Sequence, residues 1–413
     1  MAQLVCLITP GHVASAPRLV KNADALCAAG YAVHVVSGRH YPPVDALDAA
    51  IFSSARWSHS QVDYCGGTGV FVRKILRGTA RALLRLPPLA SSAIAACAHQ
   101  AEVRRIAAAA ARVPAQLYLG HSLAGLPAAA FAAQIRHVPY GFDAEDFHDA
   151  ETEGAASDPS ESIARKVLQA RLLPGCRLFT AASPLIAQSY ELAYGIKPIS
   201  ILNVFPRVDA PKAPIDPGPV CEDRPARVYW FSQTIGPGRG LENAIMILAQ
   251  MHTPVELHLR GFVSQTYRKE LNLRAQSAHM ARPIVFLNPG PPAEMVRLAA
   301  TADLGLSTED SHPLNRDLCL TNKIFAYLLA GIPQLLSRTS AQCALAPELG
   351  NAATLVDLNR PAEAAALLDA SFAMPNAVSC ARNKAWKLGQ LRFNWEVEKD
   401  IFLNAVNSIL CPR

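Results

Sequence analysis

Short apolar runs alternate along the chain with longer stretches in which apolar residues recur every three or four positions. The first run, Leu4–Thr9, ends at Pro10-Gly11, and Pro17–Ala29 then holds helical spacing as far as Gly30. A second run, Ala32–Ser37, follows at once. Strand, glycine turn, helix and strand in this order predict a right-handed parallel crossover at the edge of a doubly wound sheet. The alternation continues through Ala93–Ala111 (helix), Leu117–Leu119 (strand), Leu126–Gln134 (helix) and Tyr140–Asp143 (strand).

From Pro206 to Pro225 the pattern lapses into proline and charge without an apolar period, as a linker does. The same grammar then restarts. Strands are predicted at Val228–Phe231, Val255–Leu259, Ile284–Leu287, Leu304–Leu306 and Gln334–Ser337, and helices at Gly240–Met251, Ala293–Ala300 and Lys323–Leu329. The prediction is therefore an α/β chain of two Rossmann-like domains, 1–205 and 227–390, joined by a linker at 206–226. A helical segment, 391–413, is expected to return and brace the first domain. Open sheets of this kind bind ligands beyond the carboxyl ends of their strands, so the active site is expected in a cleft between the domains.

Composition agrees with this picture. At 413 residues the chain exceeds what one core accommodates, and 51% hydrophobic with 17% charged residues excludes a disordered tail. The net charge of +6 is spread among acids, which suits an anionic ligand or a membrane surface; no aromatic-interleaved basic stripe points to nucleic acid. Ten cysteines without a close pair read as reduced thiols of a cytoplasmic protein. The N-terminus runs into a strand without a charged leader, so neither a signal peptide nor a transit sequence is expected. No His, Cys, Asp or Glu cluster has metal-ligand spacing, and metal-independent chemistry without a cofactor is the expectation.

Two segments carry the chemistry. In STEDSHPLNRDLCLTNKIFAYLLAGIP, Ser307 to Pro333, a strand ends at Glu309, a polar loop follows, and Thr321 or Asn322 can cap a helix beginning near Lys323. The free N–H groups and positive dipole end of such a helix form a receptor for a diphosphate. In FSQTIGPGRGLENAI, Phe231 to Ile245, glycines let the backbone approach an anion and Arg239 offers a bidentate fork to phosphate.

The first segment resembles the donor-binding region of glycosyltransferase family 4, retaining enzymes of the GT-B fold, in which a carboxylate follows a strand and a helix ends in Ala-Gly-x-Pro. The resemblance implies that Glu309 contacts the transferred sugar, while Thr321, Asn322 and Lys323 lie near the diphosphate. Arg239-Gly240 matches the family's second cationic pair, and Ser232-Gln233 replaces the first, which puts Gln233 on the donor side. The family's second glutamate, which holds the ribose, is Ala326 in this chain; Asp317, eight residues after Glu309, is the alternative carboxylate.

In the first domain, Gly11 and His12 follow the first strand, where the family has a glycine loop facing the donor, and the resemblance puts Gly11 with the donor and His12 with the acceptor. His121 stands where members carry a histidine that contacts the sugar; the alternative is a structural helix cap. Phe142–Asp149 resembles the family's Asp-x-His-Glu segment and offers Asp143, Glu145 and His148 for the acceptor. Arg18 and Lys21 read either as charge at the site or as a solvated basic face. His34, His252 and His258 read as packing residues.

The resemblance implies transfer of a sugar from a nucleoside-diphosphate sugar to a glycan or lipid-linked acceptor, as in bacterial surface or exopolysaccharide synthesis. A nucleotide-sugar 2-epimerase and a non-catalytic GT-B scaffold are the alternatives. Finally, Arg73–Leu86, RKILRGTARALLRL, suits either an interfacial helix touching anionic lipid or a lipid-linked acceptor at the inner face of the membrane, or an ordinary amphipathic helix packed on the first domain.

Overall fold

A computed structural model of the chain describes residues 2–65, 69–86, 90–151 and 158–411. It comprises two compact units, Met1–Ile201 with Lys399–Arg413, and Leu202–Glu398.

The first unit is built on β1 (Leu4–Thr9), β2 (Ala32–Arg39), β3 (Ser58–Asp63), β4 (Leu117–His121), β5 (Tyr140–Asp143), β6 (Leu178–Ala181) and β7 (Ile199–Ser200). All pair in parallel, in the order β3-β2-β1-β4-β5-β6-β7. Its helices are α1 (Pro17–Ala28), α2 (Asp45–Ser54), α3 (Gly69–Leu84), α4 (Ser92–His99), α5 (Val103–Ala111), α6 (Gly125–Arg136), α7 (Pro159–Leu172) and α8 (Pro184–Tyr194).

Two sequence expectations are corrected. β1 is central rather than at the edge, because Val5–Thr9 are all buried and a strand apolar on both faces needs cover on each side. Ala93–Ala111 is two helices, broken where Gln100 turns extended (φ −146°, ψ 111°).

The second unit carries β8 (Ala226–Ile235), β9 (Val255–Val263), β10 (Val285–Leu287), β11 (Leu304–Ser307), β12 (Gln334–Ser337) and β13 (Ala353–Val356), parallel in the order β10-β9-β8-β11-β12-β13. Its helices are α9 (Leu241–Leu248), α10 (Gln265–Ser277), α11 (Met295–Ala299), α12 (Leu314–Leu318), α13 (Asn322–Ala330), α14 (Ser340–Leu349), α15 (Pro361–Ala373) and α16 (Pro375–Leu391). β8 feeds both faces of the core. Trp230 packs with Leu257, Leu306 and Leu335 on one, and Tyr229 and Phe231 pack with Ala326 and Tyr327 on the other.

The units divide at Ile201/Leu202, and 206–226 lies inside the second. Its carbonyls are held by α16: Arg382 donates to Ile215 O at 2.9 Å and Trp386 Nε1 to Pro211 O at 3.3 Å. The last helix, α17 (Trp395–Leu410), starts in the second unit and from Lys399 belongs to the first, where Gln3 Nε2 donates to Leu410 O at 3.0 Å. No helix among the described residues is long and apolar enough to cross a membrane.

In each sheet the strand order reverses beside its first strand, between β1 and β4 and between β8 and β11. Such switch points leave a crevice at the carboxyl ends of the strands, where ligands of doubly wound folds sit.

Candidate functional site

In the second unit, Ser307, Thr308 and Glu309 leave β11 buried at the switch point. The glycine loop after β8 packs directly on them. Gly240 takes φ +66°, and a Cβ there would lie 1.9 Å from Thr308 O, so only glycine lets the loop come this close. Thr308 Oγ1 donates to Arg239 O at 2.9 Å, fastening the contact. The Arg239 side chain is half-buried and makes no ion pair or hydrogen bond with a described residue. Gln233 is exposed, in a stretch where the β8–β9 register slips between Phe231 and Thr234.

Glu309 is held on every side. Oε1 meets Lys323 Nζ at 2.7 Å and accepts from Thr321 Oγ1 at 3.2 Å; Oε2 accepts from Gln342 Nε2 at 2.8 Å. Its carbonyl accepts from Ser337 Oγ at 2.7 Å. Lys323 is itself buried, with Nζ 5.5 Å from the Trp230 ring centroid. Thr321 occupies the N-cap of α13, yet its hydroxyl serves Glu309 and no side chain caps the helix. That corrects the expectation of a capped start: no side chain caps α13 beside half-buried Asn322, and of its first amides Ile324 N bonds Thr321 O at 3.2 Å.

The ribose candidate Asp317 and the position of the missing carboxylate, Ala326, differ in surroundings. Asp317 Oδ1 accepts from Ser340 N, the first amide of α14, at 2.9 Å, beside the Thr339 cap. Ala326 is fully buried in the apolar core, where a carboxylate would lack partners. A residue the motif reading passes over, Arg316 of α12, donates to Gly238 O and sets a second guanidinium against the glycine loop. Only its place in the loop after Glu309 hints at this in the sequence.

In the first unit the ends of β4 and β5 bring His121, Asp143 and Glu145 together, with ligand atoms within 4.8 Å of one another. The sequence spacing gives no sign of this cluster. Asp143 is completely buried and takes a bidentate bond from Arg18, Nε to Oδ2 at 2.6 Å and a terminal nitrogen to Oδ1 at 3.0 Å, plus Thr180 Oγ1 to Oδ1 at 2.7 Å. Arg18 also donates to Ile201 O at 2.6 Å, so it is a buried ion-pair partner and not part of a solvated face.

Burial pushes the Asp143 carboxyl up, but Arg18 and then His121 override it and hold it well below the usual carboxylate range. Asp143 thus spends both oxygens on Arg18 and Thr180, which makes it first of all the centre of a buried ion-pair network.

His121 Nδ1 lies 3.2 Å from Asp143 Oδ2, and neither buried ring nitrogen makes a well-aligned hydrogen bond. Glu145 is half-buried in the left-handed region (φ +61°), as is Ser122 (φ +58°) after His121. Burial and the neighbouring Asp143 charge push the Glu145 carboxyl up to about 6. Strained backbone beside a shifted acid is a signature of functional sites.

His12 is not available to a ligand. It is buried, its Nδ1 bonds Asp48 Oδ2 at 2.7 Å, and its Nε2 accepts from the amides of His40 at 3.2 Å and Tyr41 at 3.0 Å. It clips the end of β2 to the Gly11 loop, whose carbonyl accepts from Gly38 N at 3.0 Å. His148 is likewise buried, with Nδ1 2.6 Å from Glu151 Oε1. Of the acceptor candidates, Glu145 alone keeps an uncommitted and partly accessible carboxyl.

No protein-family profile matches the chain, and no curated protein matches it in sequence. Solved structures do. HepE from Anabaena, in complex with UDP and glucose, is 16% identical over 98% of this chain and 100% of its own, at a TM-score of 0.70. Sucrose-phosphate synthase from Thermosynechococcus elongatus is 13% identical over the whole of both chains, also at 0.70. A UDP-forming α,α-trehalose-phosphate synthase from Burkholderia xenovorans is 16% identical over 99% of each, at 0.64. The chain shares with them the GT-B fold.

Proposed function

We propose that this protein is a retaining, metal-independent glycosyltransferase of the family 4 type, moving a sugar from a nucleoside-diphosphate sugar to a glycan or lipid-linked acceptor in bacterial surface or exopolysaccharide synthesis. The observation that carries the reading is Glu309, pinned at the β8/β11 switch point together with the start of α13, which no side chain caps, and Arg239, which is unpaired among the described residues. Support also comes from Anabaena HepE, a neighbour of the same fold solved with UDP and with UDP-glucose.

The chemistry follows from charge. Negative charge grows on the departing diphosphate, and on this reading Arg239, the Arg316 guanidinium and the start of α13 would receive it. Positive charge grows on the sugar, which the fixed Glu309 carboxylate stabilises. On the acceptor side, Glu145 and His121 offer a hydrogen-bonding pair for the incoming hydroxyl.

Calorimetric titration with UDP, GDP and ADP, followed by assays with the matching sugars, tests the reading. At least one nucleoside diphosphate should bind, and Arg239→Ala should weaken it about 10- to 100-fold, as for a lost charge-assisted hydrogen bond. Glu309→Gln should retain nucleotide binding and lose transfer. Interconversion of the free nucleotide sugar without acceptor would mark an epimerase instead. If no nucleoside diphosphate binds, the chain is a scaffold and the proposal fails.

A further inference from the structure

Helix α3 turns its composition inside out. Arg73, Arg77 and Arg81 recur every four residues and so share one face, which Arg85 continues past the helix end; Arg73 and Arg81 are partly buried, Arg77 and Arg85 exposed, and all four are bonded to neighbouring elements of the first unit. Arg73 pairs with Glu102 at 2.9 Å and donates to Tyr64 O at 2.9 Å. Arg77 and Arg81 both donate to Ala98 O, at 3.2 and 3.1 Å, and Arg81 meets Glu161 at 2.9 Å. Arg85 reaches Ser160 Oγ at 3.2 Å. Buried Ala80 and Leu84 lie on the same side.

The opposite face is apolar and open. Phe71 is 70% exposed, Val72 and Ile75 each 52%, Leu76 49%, and Leu86 beyond the helix end continues the stripe at 53%. Apolar residues at this spacing normally turn inward, and a contiguous stripe left outside marks an interaction surface. The arginines explain why the helix cannot simply roll over. Doing so would strip Glu102, Asp158 and Glu161 of their counter-charges and expose the guanidiniums' partners.

We infer that α3 is a membrane-docking element that inserts its Phe71–Val72–Ile75–Leu76 face at the interface of a bilayer containing anionic lipid. Two features select a bilayer over a second copy of the chain. A helix of this length offers a face about 24 Å long and roughly 10 Å wide, far short of the ~800 Å² per partner that a stable dimer needs. The charges left at its rim are all of one sign. Residues 69–86 contain no acid, and among the described residues exposed Lys74 has no partner and Arg85 is bonded only to an uncharged hydroxyl. Two like copies would set these cations against each other, whereas anionic headgroups complement them.

The bonded arginines also change the kind of binding to expect. Arginines lying on lipid would make attachment collapse with salt. With Arg73, Arg77 and Arg81 spent on internal acids, insertion of apolar side chains is the main term and salt trims only the share of Lys74 and Arg85. This inference does not depend on the proposed chemistry.

Flotation of the full chain with vesicles of phosphatidylcholine and 30% phosphatidylglycerol, at about 0.05 and about 0.5 M NaCl, tests it. The wild type should float at both salts. Phe71→Asp with Ile75→Asp should cut the bound fraction about tenfold or more, with an unchanged thermal midpoint because both positions are exposed. Failure of the wild type to float at either salt overturns the inference, as does undiminished floating of the double variant. Dimerisation in sedimentation velocity without vesicles, abolished by the same substitutions, would overturn it in favour of a second copy.

Discussion

The Glu145 carboxyl gives the sharpest handle on the first-unit cluster. Its ordinary value is 4.5 and the folded chain raises it to about 6, chiefly by burial and then by the adjacent Asp143 charge. The folded state thus holds this proton more tightly than the unfolded state. The stabilisation is fully present below 4.5 and is lost as pH rises through 6. Above that the ionised group costs the fold about 2 kcal/mol, from ~1.5 units at ~1.36 kcal/mol each. Glu145→Gln keeps the shape and the left-handed backbone while removing the ionisation. The variant should therefore match the wild type near pH 4.5 and exceed it by about 2 kcal/mol at pH 8. Urea unfolding with hydrogen exchange read on β4 and β5 peptides scores the first unit by itself. An equal gain at both pH values, or none at pH 8, would refute the charge argument.

Other outcomes follow from the same contacts. Arg18→Leu strands the fully buried Asp143 carboxylate and should cost about 3–5 kcal/mol at neutral pH, with most of the loss recovered by adding Asp143→Asn; equilibrium unfolding of the single and double variants checks this. Gly240→Ala forces a Cβ into Thr308 O and leaves an alanine left-handed. It should lose ~1–2 kcal/mol from backbone strain alone and displace Glu309, so nucleotide affinity measured by titration should fall with stability.

The fold was legible in the sequence because its signals are local. A strand such as Leu4–Thr9, apolar on both faces, followed by Pro10-Gly11 and a periodic helix, specifies a parallel unit wherever it occurs. Its place in the sheet is set by strands far off in the chain. β4 pairs with β1 across more than a hundred residues, and nothing in Leu4–Thr9 announces that. The second-unit site was legible in part. Glu309 and Arg239 stand next to glycines and strand ends that fix them, whereas Arg316 reaches Gly238 only because α12 folds back over the loop. Asp317 is a candidate by spacing alone; that its Oδ1 accepts from the amide of Ser340, 23 residues on, could not be read from the segment.

Both switch points sort their charges in the same way, and this narrows what a substrate can use. At β8/β11 a buried lysine holds Glu309; at β1/β4 and the neighbouring β5 a buried arginine holds Asp143. Each pair is deeply buried, so its members cannot swing out to a ligand without leaving the partner's charge unpaired in the interior. They act as fixed charges, set before any substrate arrives. What remains for binding is the group that each network leaves uncommitted: the Arg239 guanidinium in the second unit and the Glu145 carboxyl in the first. In each unit, what a ligand can use is therefore set by which charges stay unpaired among the described residues, more than by which residues match a motif.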